Sequence, residues 1–309
     1  MIPLHKLKTY SIKDRKSVVN VKDFATLSKP GKEWGGFFKS LPDILGGRDF
    51  NRLIDAIVRA NKDKHLIGVG LGGHVIKCGL SPVIIDLINR GIIKSVAMNG
   101  STAIHDYEIS LIGATSEDVN ESIKDGSFGM AEETAFAFAR AAKTAGQKDI
   151  GLGRALGQMI DKENSQFKQY SILAAAVCNN IPATIHVAIG TDIVHMHSCI
   201  SGEELGKSTL KDFHILAETI CGLDKGVWLN IGSAVILPEI FLKAVAIARN
   251  LGHKLNDFTA ANLDMIQHYR PRQNVTGRVA GKGAVGINLT GHHEIMLPLL
   301  RLGLLSALQ

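Results

Sequence analysis

Four groups of residues in this chain have types and spacings suited to chemistry. Asp192, His195 and His197 lie together in GTDIVHMH (190–197). An imidazole titrates near neutrality, so either histidine could accept a proton during an oxidation. If the segment is a strand, histidines two apart share a face and both could reach one metal ion. His186, His292, His293 and Glu204 are further ligand types, and Cys199 is a thiol whose reactivity depends on its pKa. The second group is Arg270, Arg272 and Arg278 with Lys282, which sits between Gly281 and Gly283. That stretch is either a solvated loop or a clamp that binds a carboxylate or phosphate through paired guanidinium bonds. The third is HDYE (105–108), in which Asp106 is the candidate acid and Glu108 fits the polar first turn of a helix. The fourth is the turn bearing Gly70, Gly72 and Gly73. Backbone approaches a phosphate closely only where no Cβ intervenes, and a helix N-terminus favours anions.

The elements around these groups follow from hydrophobic period. The apolar run Leu66–Gly70 enters the glycine turn, a helix-period segment follows, and Ile92–Met98 is a second apolar run. This is a strand, turn, helix, strand unit of a parallel sheet. Pro182–Ile189, Val227–Ile231, Asp257–Met265 and Ala284–Thr290 are further strands. Helices are expected over Phe50–Asn61, Glu117–Lys124, Met130–Gly146, Gly151–Ile160, Phe167–Asn180, Asp212–Gly222, Leu237–Gly252 and Glu294–Ala307. In ATSEDV (114–119) a cap is expected at Thr115 or Ser116. The alternation predicts an α/β fold, a Rossmann-like doubly wound parallel sheet in one domain over 51–309, with an irregular N-terminal arm over 1–50.

The chain has 309 residues, 45% hydrophobic and 21% charged, which excludes a disordered or fibrous chain. Its +6 net charge is concentrated early, at Lys6, Lys8, Lys13, Arg15 and Lys16. No basic and aromatic stripe accompanies it, so a solvated segment is expected rather than a nucleic-acid surface. Four cysteines without C-x-x-C spacing read as reduced thiols, and no apolar run approaches the roughly 18 residues of a membrane span. A cytoplasmic protein with a small-molecule substrate, and neither a membrane nor a nucleic-acid partner, is the expectation.

From about residue 50 onward the chain resembles the deoxyhypusine synthase family. MNGSTAIHDYE stands where that family carries T-T-A-G-G-V-E-E-D, and GTDIVHMH resembles its G-D-M-I-F-F-H. WLNIGSAVILPE (228–239), TAANLDMIQHYRP (259–271) and MLPLL (296–300) are similar to its later segments. The resemblance implies a homotetramer that binds NAD. By it, Gly100, Ser101, Thr102 and Asp106 lie along the nucleotide, Asp264 near a ribose, and Asp192 near the substrate. The family's lysine in W-G-K has no direct counterpart in RPRQNVTGRVAGK. Arg278 falls nearest to it, and a guanidinium is not a nucleophile. Lys282 follows four residues later. These departures point to a transferase or dehydrogenase acting on a substrate other than the family's, an anionic one among the options. The candidate set is Asp192, His195, Arg278 and Lys282 for catalysis, and Gly70, Gly72, Gly73, Gly100, Ser101, Thr102, Asp106 and Asp264 for NAD. A metal-dependent hydrolase using His195 and His197, or a non-catalytic nucleotide-binding protein, are the alternatives.

Overall fold

The computed structural model describes residues 3–25, 27, 34–163, 165–279 and 283–309. Among them are eight strands: β1 (Ser17–Asn20), β2 (Ile67–Leu71), β3 (Ser95–Asn99), β4 (Ala114–Glu117), β5 (Ala183–His186), β6 (Val227–Ile231), β7 (Thr259–Asp264) and β8 (Val285–Thr290). Six of them form one parallel sheet in the order β5-β3-β2-β6-β7-β8. The chain starts in the middle, builds outward through β3 and β5, then returns to build β6, β7 and β8 on the other side. This is the Rossmann-like doubly wound order, and it reverses between β2 and β6. In doubly wound folds ligands bind outside the carboxyl ends of the strands where the order reverses.

Strand β2 shows how the residues set the two layers. Ile67, Val69 and Leu71 face one helical layer and are fully buried. Gly68 and Gly70 face the other, where the Trp228 indole of β6 lies across them and stacks on Phe241 at 4.8 Å. A Cβ at Gly68 would stand 2.9 Å from that indole, and one at Gly70 3.1 Å. Gly70 is therefore a packing glycine inside a strand, not part of a nucleotide turn. Helices Gly202–Ile220 and Ile236–Asn250 cover the Trp228 face. Leu45–Lys62, Ser81–Asn89, Gly100–Ile112 and His293–Leu308 pack into the core of the opposite face. Among the described residues no helix is long and apolar enough to cross a membrane.

The expected irregular arm over 1–50 is in part helical, since Trp34–Ser40 is a helix and Leu45–Lys62 begins within it, while the described residues ahead of them are irregular but anchored. Short 3₁₀ turns alternate with β1, which pairs antiparallel with β4. Ile12 is fully buried, and Glu133 accepts hydrogen bonds from the Ser11 hydroxyl (2.5 Å) and the Ile12 amide (2.6 Å). The partner supplied by β1 explains β4, which local pattern does not mark. Thr115 and Ser116 consequently lie in a strand, and Asp118 caps the next helix by accepting from the Asn120 amide at 3.0 Å. The 193–197 segment also differs from expectation. Ile193–Met196 is a 3₁₀ turn, so His195 and His197 do not share a strand face.

Candidate functional site

The carboxyl edge of the sheet gathers most of the candidate residues. β3 ends at Asn99, whose side chain accepts from the Thr102 amide (2.9 Å) and starts helix Gly100–Ile112. The loop after β5 brings Asp192 over that helix N-terminus. A Cβ on Gly100 would run into the Asp192 carboxylate, so this approach requires glycine. Asp192 is 9% exposed and its Oδ2 has no hydrogen-bond partner. Burial pushes its carboxyl up to about 6, against the help of a hydrogen bond from the Ala188 amide. Ser101, Asp192, His105, Glu108, Lys77 and Arg15 all line one cavity of about 190 Å³.

The cavity floor is a buried ion pair. Arg15 donates to both oxygens of Glu108, at 2.9 and 2.7 Å, with the two side chains 4% and 1% exposed. Glu108 also accepts from Thr134 (3.1 Å) and from the Thr115 hydroxyl, which in turn bonds His105 Nδ1 at 2.8 Å. Burial alone would raise the Glu108 carboxyl, but the nearby His105 ring, 3.9 Å away, and the Arg15 hydrogen bonds outweigh it and hold it at about 2. Glu108 is thus not a helix-start acid. It sits in the interior of a helix with apolar residues all round, including Ala103, Ile104, Tyr107 and Ile109. A charge in such a helix must be buried and paired. That signal was legible in the sequence, whereas Arg15, one of several basic residues in the arm, carried none.

At the reversal between β2 and β6 lies a second polar group. The Gly72 amide donates to the Ile231 carbonyl, and a Cβ on Gly72 would strike the Gly232 carbonyl. Gly72 thus lets the two strand ends meet. Gly73 faces Ser101, whose Oγ would lie 3.0 Å from a Cβ there. His293, at the start of helix His293–Leu308, is 2% exposed, and neither ring nitrogen has a partner. Its Nε2 is 3.8 Å from Asp264 Oδ1 at the end of β7, and its ring is 5.9 Å from that of His74. Burial holds the imidazole below its ordinary range, against the pull of Asp264. A buried polar atom without a partner costs about 1–3 kcal/mol, which marks His293 as a group kept for something else. In the sequence His293 stands out only as a possible metal ligand.

Other candidates are placed elsewhere. Asp106 is fully buried and accepts from the Ser171 hydroxyl (2.6 Å) and from the amides of Ile172 (2.7 Å) and Leu173 (3.2 Å). It caps helix Ile172–Cys178 and does not line the cavity beside Asp192. Thr102 is likewise buried, with its hydroxyl on the Leu71 carbonyl at 2.9 Å. His197 Nε2 bonds the Gly129 carbonyl at 2.8 Å, while His195 Nδ1 accepts from the Gly190 amide at 3.2 Å. The two imidazoles serve different loops. Among the described residues no group of three or more His, Cys, Asp or Glu could hold a metal ion. Burial pushes the Cys199 thiol up, which disfavours a nucleophilic thiolate. Arg270 pairs with Glu239 (3.2 Å), and Arg278 donates to Asn274 (3.0 Å) and the Tyr269 hydroxyl (3.3 Å). The chain must return to the amino edge before β8 begins. Accordingly Arg249 holds the carbonyls of Val279 and Leu255 together ahead of β7 and β8. Among the described residues no hydrogen bond or ion pair joins Arg278 to Asp192 or Asp264. Lys282 lies outside the described residues.

No protein-family model matches the chain, and no curated protein matches it. Solved structures share its fold. A conserved protein assigned to LOR/SDH from Methanococcus maripaludis S2 aligns over 85% of this chain and 70% of its own, at 17% identity and a TM-score of 0.52. AgrE, solved as a ternary complex with ornithine and NAD+, aligns over 91% of this chain at 13% identity and a TM-score of 0.50. This chain spans only 34% of AgrE. An assigned deoxyhypusine synthase from Entamoeba histolytica aligns over 95% of both chains at 11% identity, with a TM-score of 0.49 too low to carry any inference. The relationship is one of fold.

Proposed function

We propose that this chain binds NAD at the carboxyl edge, across the reversal between β2 and β6, and acts on a small substrate in the cavity beside Asp192. The observation that carries this is His293, buried under that reversal with two unpartnered ring nitrogens beside the Asp264 carboxylate. The residues present fit a dinucleotide. The imidazole can donate or accept, the carboxylate can accept from ribose hydroxyls, and Ser101 adds a hydroxyl on the β3 side. AgrE, with its NAD+ complex on the same fold, supports the reading. When bound, NAD supplies a hydride acceptor. The chain's own contribution is to orient the substrate and to take the proton released when a carbon loses hydride. Asp192 lines the cavity with one oxygen unpartnered, and its elevated pKa suits that task. A dehydrogenase, or a transferase that starts with dehydrogenation, follows. Assembly as a homotetramer, cytoplasmic residence and the division into an arm (1–50) and a domain (51–309) belong to the same proposal.

The test is a calorimetric titration of NAD into the parent chain and into Asp264→Ala and His293→Ala, with thermal unfolding as the fold control. NAD at about 100 times its Kd should add roughly 2.7 kcal/mol of stability to the parent. Either substitution should weaken binding at least tenfold. An absence of NAD binding to the parent at millimolar concentration would overturn the reading.

A further inference from the structure

Among the described residues, two charged side chains on the cavity wall have neither an ion pair nor a full set of hydrogen bonds, and they have opposite signs. Arg15 and Glu108 neutralise each other. Glu117 has no ion-pair partner among the described residues, but both its oxygens are used, accepting from the Gly129 amide (3.0 Å) and the Tyr10 hydroxyl (3.4 Å). Lys77, exposed at the end of helix His74–Lys77, makes no ion pair among the described residues. Asp192, nine-tenths buried, has one oxygen without a partner. Lys77 reaches the cavity from the segment after β2, and Asp192 reaches it from the loop after β5. Ile104, Val119, Phe128 and Ile193 supply apolar wall to the same cavity. Its volume is about 190 Å³, below the roughly 300–1,000 Å³ of pockets that hold drug-sized ligands. The occupant is therefore small.

A polyamine would satisfy Asp192 but bring a second positive charge against Lys77. A dicarboxylate would satisfy Lys77 but meet Asp192 and Glu117. Like charges at contact distance disfavour both, most of all in a partly dry cavity. A molecule with one charge of each sign and a short apolar body meets every wall. We propose that the cavity binds an α-amino acid as its zwitterion, with the ammonium at Asp192 and the carboxylate at Lys77. This deepens the reading of the cavity as the substrate site and does not depend on the nucleotide.

The experiment uses the full chain without NAD. Thermal unfolding is followed with each of the twenty common L-amino acids at 10 mM, and the best one is titrated beside its decarboxylated amine. The amino acid should bind at least tenfold more tightly than that amine. Lys77→Met should remove this advantage while leaving the amine unchanged, because only the carboxylate contact is lost. Asp192→Asn should weaken both, since both keep the ammonium. No shift with any of the twenty, an amine that binds as well as its parent, or an unchanged preference in Lys77→Met would each overturn the proposal. Far-UV circular dichroism of each variant confirms the fold. Repeating the titration with saturating NAD separates the two readings, because a chain that binds the amino acid but not NAD refutes the nucleotide site alone.

Discussion

Asp106 and Asp192 lie close to the same helix, and burial pushes both carboxyls up to about 6, yet their surroundings are opposite. Around Asp106 three donors converge from Ser171, Ile172 and Leu173, and every oxygen is used. Around Asp192 one oxygen faces no donor, a cavity opens, and a glycine has been needed to let the group approach. The first region is an acid held in place to join two helices. The second is an acid held ready. Burial and a raised pKa do not distinguish a functional carboxylate from a structural one; unsatisfied hydrogen-bonding capacity beside open volume does.

The largest test adds a third acid. Glu108 is as buried as Asp106 and fully partnered, so it belongs with the structural set although it lines the cavity. Glu108→Gln leaves the Arg15 guanidinium buried without its counter-charge, and urea unfolding at pH 7 should show a loss of about 3–5 kcal/mol. The sign with pH follows from its depressed pKa. The contribution is present above the ordinary value of 4.5 and fades as pH falls toward about 2. The difference between parent and variant should shrink over that interval. A difference that stays constant there would remove Glu108 from the structural set.

The paired substitutions Asp106→Asn and Asp192→Asn should then move stability in opposite directions. Asparagine at 106 turns an amide N–H₂ toward backbone donors, which should cost about 1–3 kcal/mol at pH 7 despite the relief of a buried charge. Asparagine at 192 loses no donor of comparable number and removes a charge that burial penalises. It should stabilise the chain by about 1–3 kcal/mol at pH 8. A raised folded pKa favours the native state below 3.8 and loses that benefit as pH rises through about 6, so the gain should vanish near pH 4. Equal losses from both variants would break the comparison, since Asp192 would then be structural too. The smallest effect is expected at Arg278→Ala, where an exposed side chain that bonds neither acid is removed. Stability should change by no more than about 0.5 kcal/mol, with NAD affinity unaltered in the same titration.

Much of the architecture was legible in the residues alone. Val227–Ile231 is a strand with the bounds its pattern predicts, and the expected helices at Leu237–Gly252 and Glu294–Ala307 lie within two residues of those observed. Period and local breakers determine such elements, because each is satisfied mainly by its own apolar face. The doubly wound class followed from their alternation. The order of chemistry-bearing groups did not follow. β4 exists because the arm supplies β1, and Arg15 is a buried ion-pair partner because Glu108 waits for it across ninety-three residues. Asp106 was drawn into the nucleotide set by its place in a motif, while Ser171 and its neighbours, distant in sequence, decide its role. Arg278 enters the candidate set by standing nearest the lysine of the family's W-G-K, and its guanidinium bonds Asn274 and the Tyr269 hydroxyl, contacts that spacing does not predict. His293 carried no motif, and its two empty nitrogens emerge only when Gly232, Asp264 and His74 close around it. Sequence determines elements through short-range periodicity. Which polar groups are satisfied, and which are left open to a ligand, depends on partners that only the tertiary fold brings within hydrogen-bond reach.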